Sequence, residues 1–235
     1  MNILAIGCHP DDLEIGCGGT LARYARQGHT VIMLHVANGN RGHAEIMPAE
    51  LREIRLAEAQ KAGVALGAAH VLTLDTPDLE VDSALPETIR KLVDVIRQAQ
   101  PDVIITHAPD DYMRDHVEVS RLVFDASFSA SVPHYFTQIQ TPARITPLYY
   151  MDTVAGVNFL PSEYVDISET IETKLEALNC HQSQIRWLYD HDGIDFLDFV
   201  RTASKFRGLQ CGVAYAEGFR LCQTWPRLTT KRLLP

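Results

Sequence analysis

Short apolar runs alternate with amphipathic stretches along the first half of the chain. Four runs have the length and composition of buried β-strands. They occupy residues 3–7, 30–36, 71–74 and 101–106. The stretches between them repeat apolar residues at helical spacing and predict helices over about residues 20–27, 49–66 and 87–98. Because strands that alternate with helices pair in parallel, the pattern predicts an α/β fold. Its doubly wound, mostly parallel sheet would lie between two layers of helices.

The fourth strand leads into a polar loop and then a helix, expected over about residues 117–127. His116 heads this helix, and Asp115 is predicted to be its N-cap. Residues 129–147 have little periodicity and are rich in Ser, Pro, Thr and Gln. We therefore expect them to form a loop that covers the site.

The remaining pattern predicts one later strand and two further helices. The strand occupies residues 148–151, and the helices span about residues 166–180 and 194–207, with residues 181–184 closing the first helix. No repeat or low-complexity linker interrupts the chain. The sequence thus predicts a single domain, residues 1–235, whose C-terminal part from about residue 148 completes and covers the site.

Composition narrows the class of partner. The net charge is -9 over 235 residues, and no basic run favours a nucleic acid. No apolar run approaches the length of a membrane helix, and the chain begins directly with a strand, so neither a membrane segment nor a signal peptide is predicted. The five cysteines form no CxxC pair, which is typical of reduced thiols. We expect a cytoplasmic protein that binds a small molecule.

Two clusters of His and Asp follow the first and fourth strands. His9, Asp11 and Asp12 come after the first strand, and His116 lies beyond the fourth. The carboxyl ends of parallel strands meet at one edge of the sheet, where α/β proteins bind ligands. His9, Asp12 and His116 offer the three ligands that leave zinc an open position for water. Asp11 would remain beside the cation as a proton acceptor. Zn²⁺ is predicted, although another divalent transition metal would also suit these ligands.

These residues carry a resemblance to a known family. Residues 9–19, His-Pro-Asp-Asp-Leu-Glu-Ile-Gly-Cys-Gly-Gly, resemble the signature of the LmbE-like, or PIG-L, zinc-dependent N-acetylglucosaminyl deacetylases. The similarity extends through Arg55 and Glu58, residues 115–116, residues 181–184 and residues 215–217. The resemblance implies a Rossmann-like fold and a homo-oligomer as a plausible state. It also implies His9, Asp12 and His116 as zinc ligands and Asp11 as the general base.

The implied reaction is removal of an N-acetyl (acyl) group from a small amino sugar or GlcNAc-type conjugate. Many members have a histidine that assists this reaction where the chain has Met113, and a thioether cannot donate a hydrogen bond. Side chains that would take this role, or contact the substrate, are Arg55, His43, His107, Arg114 and His181. Structural interpretations compete for some of them. His107 fits a strand-end ring bound by a backbone group, and Arg55 fits an ion pair with Glu58.

Three alternatives stay open. The protein could be an amidase acting on a thiol-sugar conjugate, or a sugar- or metal-binding homologue that lost turnover with the change at Met113. The third and most remote alternative is an S-adenosylmethionine-dependent methyltransferase, because residues 13–18 resemble the cofactor-binding turn of that class. Against this, residues 9–12 stand where the preceding strand should be, and residues 36–38 contain no acid to hold a ribose.

Overall fold

The computed structural model describes all 235 residues and contains seven strands and seven α-helices. The strands are β1 (Asn2–Gly7), β2 (Thr30–Ala37), β3 (His70–Thr76), β4 (Val103–Thr106), β5 (Leu148–Met151), β6 (Glu163–Asp166) and β7 (Ala216–Leu221). The helices are α1 (Asp12–Arg26), α2 (Pro48–Leu66), α3 (Pro86–Ala99), α4 (Arg114–Ser129), α5 (Ile171–Leu178), α6 (Gln182–Asp192) and α7 (Phe196–Cys211). A 3₁₀ turn, Val154–Gly156, follows β5. None of the helices is both long and apolar enough to cross a membrane.

All seven strands form one sheet in the order β3-β2-β1-β4-β5-β7-β6. The first five in this order are parallel, and β7 runs antiparallel to β5 and β6. The strand order reverses between β1 and β4, so the loops that follow these two strands leave the same edge side by side. The predicted doubly wound, mostly parallel sheet is confirmed.

Alternate residues of β1 enter two separate hydrophobic cores. Ile3 and Ala5 pack on one face, in the cluster that also holds residues of α1, α2, α5 and α7. Leu4 and Ile6 pack on the other face, with residues of α3 and α4. Side chains of a strand point alternately to its two sides, so a strand with no polar residue needs cover on both. The apolar run of β1 therefore requires the three-layer arrangement that was predicted.

The predicted start of the first helix was wrong. We expected it near residue 20, but α1 begins at Asp12 and includes the glycines. Those glycines let the helix approach its neighbours closely. A Cβ atom would lie 2.7 Å from Met151 Sδ at Gly16, and 2.8 Å from Ile167 Cβ at Gly19. The packing gained at these positions offsets the low helix propensity of glycine.

The C-terminal part also differs from the pattern. The helix expected over residues 166–180 is only Ile171–Leu178, because Asp166 ends strand β6. Residues 181–184 do not close that helix, since His181 is instead the N-cap of α6. Asp115 is not the N-cap of α4, because the helix begins at Arg114 and Met113 is its N-cap. Strands β6 and β7 were not predicted.

A buried ion pair fixes α1 against this C-terminal part. Lys174 of α5 donates to Glu217 Oε1 of β7 at 2.6 Å and to the carbonyl oxygen of Ile15 at 2.8 Å. The other contacts of Glu217 are with α1, where it accepts the backbone N–H groups of Gly19 and Thr20 at 2.9 and 2.7 Å. Both charged side chains are almost fully buried. The pair thereby joins α1, α5 and β7.

We expect Glu217→Ala to lower the free energy of unfolding by about 3–5 kcal/mol, because it leaves Lys174 charged and buried without its partner. Urea denaturation of the purified variant measures this change. Glu172→Ala is the matched control, since Glu172 pairs with Arg201 on the surface and its loss should change stability little. Equal stabilities of the two variants would contradict an anchoring role for Glu217.

Candidate metal centre and active site

Three predicted ligands converge where β1 and β4 end. His9 lies in the turn after β1, Asp12 begins α1, and His116 lies in the first turn of α4. Asp12 reaches both imidazoles: its Oδ2 is 3.4 Å from His9 Nδ1, and its Oδ1 is 3.3 Å from His116 Nε2. The two rings are 5.5 Å apart between centroids. The fold therefore brings His116 to a pair of side chains, His9 and Asp12, that lies about a hundred residues earlier in the sequence.

The donor set suits a divalent transition metal. His116 Nε2 is buried and has no hydrogen-bond partner in the protein, although it faces a carboxylate. Burial alone would lower the pKa of His116, but the Asp12 and Asp111 carboxylates raise it to about 9. A cation between these groups would replace that proton and meet two nitrogens and one oxygen, a set that zinc accepts.

Two further carboxylates hold the outer nitrogens of the histidine rings. Asp111 Oδ2 lies 3.0 Å from His116 Nδ1, and Asp115 Oδ2 lies 3.4 Å from His9 Nε2. Carboxylates in such places fix the orientation and tautomer of metal-binding histidines. The sequence analysis did not predict either role. The one available signal was that Asp111 precedes His116 by five residues, a separation at which the two side chains can meet at the start of a helix.

Asp11 lies beside this cluster in a strained backbone conformation, with φ at 126°. Its Oδ2 accepts a 2.8 Å hydrogen bond from Arg55 Nη2, which also donates to the carbonyl oxygen of Pro10. Burial raises the pKa of Asp11, and the Arg55 guanidinium offsets part of that rise. Asp11 is thus a buried carboxylate with raised basicity, as a general base requires.

Arg55 does not form the ion pair with Glu58 that was expected. Glu58 instead accepts hydrogen bonds from the backbone N–H and the hydroxyl of Ser183, at 2.8 and 2.6 Å. Arg55 reaches Asp11 across Gly39, whose φ is 76° and where a Cβ atom would lie only 2.5 Å from Arg55 Cδ. The glycine-rich loop after β2 therefore makes room for the guanidinium.

A cavity of about 300 Å³ opens over Asp11, Asp12 and His9. Its size falls at the lower end of ordinary ligand pockets. Polar side chains line part of it: Arg41, Arg55, Asp78 and Gln184. Apolar side chains line another part: Leu79, Met113 and Val154. Gln184 and Val154 come from beyond residue 148, so the C-terminal part contributes to the wall.

Arg55 is the only one of the five proposed substrate or oxyanion residues that lines this cavity. His107 Nε2 accepts the backbone N–H of Cys8 at 2.9 Å, and its ring stacks on His116 with centroids 3.9 Å apart. Burial and the nearby His116 lower the pKa of His107 to about 4. His107 is thus a neutral strand-end ring held by a backbone group.

The other three residues lie away from the cavity walls. His43 Nδ1 accepts the backbone N–H groups of Glu45 and Ile46 at 3.0 and 3.1 Å. His181 is fully buried, with Nε2 at 3.5 Å from Glu14 Oε1. Arg114 is exposed at the start of α4. Direct contact of these side chains with the acyl group would therefore require them to move.

Comparison with known proteins identifies the family. Residues 4–127, more than half of the chain, match the model of the family described as GlcNAc-PI de-N-acetylase, PIG-L. The chain belongs to the PIG-L family. It is 30% identical over 230 residues to the diacetylchitobiose deacetylase of Thermococcus kodakarensis, with 93% of this chain and 82% of that protein covered. The resemblance inferred from residues 9–19 is thereby confirmed.

Two other comparisons bear on function. The structure of N,N'-diacetylchitobiose deacetylase from Pyrococcus horikoshii superposes with a TM-score of 0.82 at 26% identity, covering 94% of this chain and 83% of that one. The 4-oxalmesaconate hydratase of Pseudomonas putida is 26% identical over 247 residues, covering 96% of this chain and 90% of that protein. Relatives of similar distance therefore carry names from two reaction classes.

We expect His116→Ala to abolish stoichiometric metal binding, because it removes one of three converging donors. Asp111→Asn should weaken the affinity by about 10–100-fold, since it removes the carboxylate that orients His116. Elemental analysis after gel filtration and competition with a chelator measure the two effects. His191→Ala, which alters an exposed histidine on α6, is the control. Wild-type affinity in His116→Ala would exclude this residue as a ligand.

Proposed function

We propose that this chain is a zinc-dependent N-deacetylase that hydrolyses the amide of a small N-acylated amino sugar or of a GlcNAc-type conjugate. The observation that carries this proposal is the position of Asp11. Its buried carboxylate lies beside His9, Asp12 and His116 and lines the same cavity as His9 and Asp12. The printed names of the two diacetylchitobiose deacetylases support the choice of substrate class.

His9, Asp12 and His116 would hold the cation. Such a cation would act as a Lewis acid, which would lower the pKa of a water molecule and polarise the acyl carbonyl. Asp11 accepts the proton of the attacking water as its oxygen bonds to the acyl carbon. Asp11 then returns the proton to the amide nitrogen as the carbon–nitrogen bond breaks. The products are a carboxylic acid and the free amine.

Arg55 is proposed to act through Asp11 and at the cavity wall. Its hydrogen bond to Asp11 Oδ2 holds the carboxylate in one orientation, while Asp11 Oδ1 remains free for the water. Met113 stands where many members have a donor, so Arg55, the cavity guanidinium that binds Asp11, is proposed to stabilise the charge that develops on the reacting carbonyl. Arg55 also limits how far burial raises the pKa of Asp11.

We expect Asp11→Asn to keep its metal and lose about 10²–10⁴-fold in kcat, because an amide cannot accept the proton. Release of amine from N-acetylglucosamine and from its β-1,4-linked disaccharide measures turnover, and elemental analysis measures metal. Asp110→Asn is the control, since Asp110 pairs with Arg220 near the surface. A rate near that of the wild type in Asp11→Asn would remove this residue from the mechanism.

We expect Arg55→Met to lower kcat by about 10²–10³-fold, a loss typical of a removed transition-state donor. Methionine keeps an unbranched apolar side chain, so the change mainly removes charge. Arg52→Met is the matched control on the same helix, because Arg52 pairs with Asp75 outside the cavity. Steady-state kinetics on the same sugars separates kcat from KM. A change confined to KM would show that Arg55 only binds the substrate.

A hydratase is the second candidate function. The Pseudomonas putida relative supports it, and so do Arg41 and Arg55 in the cavity, because guanidinium groups bind carboxylates such as those of unsaturated diacids. Loss of ultraviolet absorbance from an unsaturated dicarboxylate, with no amine released from any sugar, would favour hydration. Tight sugar binding without any product would favour a binding homologue.

A further inference from the structure

The cavity over Asp11 has an apolar side that cleavage of an acetyl group does not require. Leu79, Met113 and Val154 form this side, which we name the apolar lip. Leu79 is 67% exposed and Met113 is 36% exposed. The three residues come from separate segments: the turn after β3, the N-cap of α4 and the 3₁₀ turn after β5. Their meeting at one cavity is therefore a property of the fold.

The backbone at Leu79 is strained for a leucine. Its φ is 67°, in the left-handed region, and it lies in a turn closed by a 3.2 Å hydrogen bond from the N–H of Glu80 to the carbonyl oxygen of Pro77. Glycine is favoured at such a position. Because most of the Leu79 side chain is exposed, core packing does not compensate for the strain.

The hydrogen bond that Leu79 makes to the rest of the protein comes from its backbone. The N–H of Leu79 donates to Asp115 Oδ2 at 2.8 Å, and that carboxylate faces His9. Glycine would make the same hydrogen bond without strain. A strained leucine that is mostly exposed and lines the candidate active-site cavity indicates a role in binding.

Met113 extends the same surface. Its thioether donates no hydrogen bond and contributes flexible apolar surface instead. The rest of the wall is polar, with Arg41, Asp78 and Gln184 lining the same cavity. A pocket with polar and apolar sides suits a ligand that has both.

We propose that the substrate carries an alkyl or aryl group larger than methyl, which lies against the apolar lip while sugar hydroxyls meet the polar side chains. This inference rests on the proposed deacetylation. The apolar group belongs either to the acyl chain that is removed or to an aglycone on the sugar. Both sources present the same chemistry to Leu79, Met113 and Val154.

Two substrate series distinguish the sources. One consists of N-acetyl-, N-butyryl- and N-hexanoyl-glucosamine. The other consists of methyl, butyl and octyl glycosides of N-acetylglucosamine, kept below the concentrations at which micelles form. We expect kcat/KM of the zinc-loaded wild type to rise along one series, by up to about fourfold for each methylene buried. Values that stay flat or fall along both series would overturn the proposal.

Leu79→Gly tests the lip directly. It should raise the melting temperature, because it removes the backbone strain, and it should flatten the series that rises in the wild type. Gln100→Gly is the matched control. Gln100 also has a positive φ, 43°, but lies before β4 at the opposite edge of the sheet. The control should keep the wild-type slope. An unchanged slope in Leu79→Gly would exclude the lip as the binding surface.

The two proposals fail in different ways. If no amide in either series is cleaved, the proposed function fails, and calorimetry with the methyl and octyl glycosides of glucosamine still tests the lip. Tighter binding of the octyl compound, by tenfold or more and lost in Leu79→Gly, would support it, whereas equal affinities would overturn it. A smaller assembly of Leu79→Gly on size-exclusion chromatography would assign the lip to a contact between copies of the chain, and would also overturn the proposal.

Discussion

The site depends on the Asp12 carboxylate, which is buried between imidazoles from separate parts of the chain. Burial would raise the pKa of Asp12, but His116 and His107 hold it well below its usual value. A buried carboxylate without such partners is costly. The start of α1 and the start of α4 must therefore stay together, which the adjacency of β1 and β4 provides. The ionised state of Asp12 therefore depends on the pairing of the two central strands β1 and β4.

The contacts of α1 with the C-terminal part of the chain also fix the position of Asp11 and Asp12. Asp11 and Asp12 lie at its N-terminus, where the exposed N–H groups of the helix favour negative charge. Gly16 lets the helix approach Met151 of β5, and Lys174 binds the helix through the carbonyl oxygen of Ile15. A shift of α1 by even a fraction of an ångström would move both carboxylates. The buried pair of Lys174 and Glu217 therefore protects the geometry of a site that it does not touch.

The sequence was informative where the structure repeats a simple period. The apolar runs of β1, β2, β4 and β5 are buried inside the sheet, and the exposed edge strand β3 still has an apolar run, so composition predicted all five strands. The order of strands and helices predicted the shared edge. Strands β6 and β7 escaped prediction because they are short, contain charged residues within the strand and depend on antiparallel pairing between distant segments. The partners of Arg55 and the roles of Asp111 and Asp115 escaped for a related reason. A side chain's partner across a loop is set by tertiary packing, which the local pattern does not contain.

Several residues other than glycine near this edge of the sheet have a positive φ, and they differ in how much strain that conformation causes. Asp75 and Asn158 also have positive φ, but short polar side chains tolerate that region well. Asp11 is different, because a φ of 126° lies outside the left-handed well, and conformations of this kind cost about 1–3 kcal/mol. Arg55 and the first turn of α1 hold it there, through the bonds to its side chain and its carbonyl oxygen. Leu79 is strained at the same cavity. Strain of this kind concentrates at functional sites, and Asp11 and Leu79 both line the cavity in which the substrate is proposed to bind.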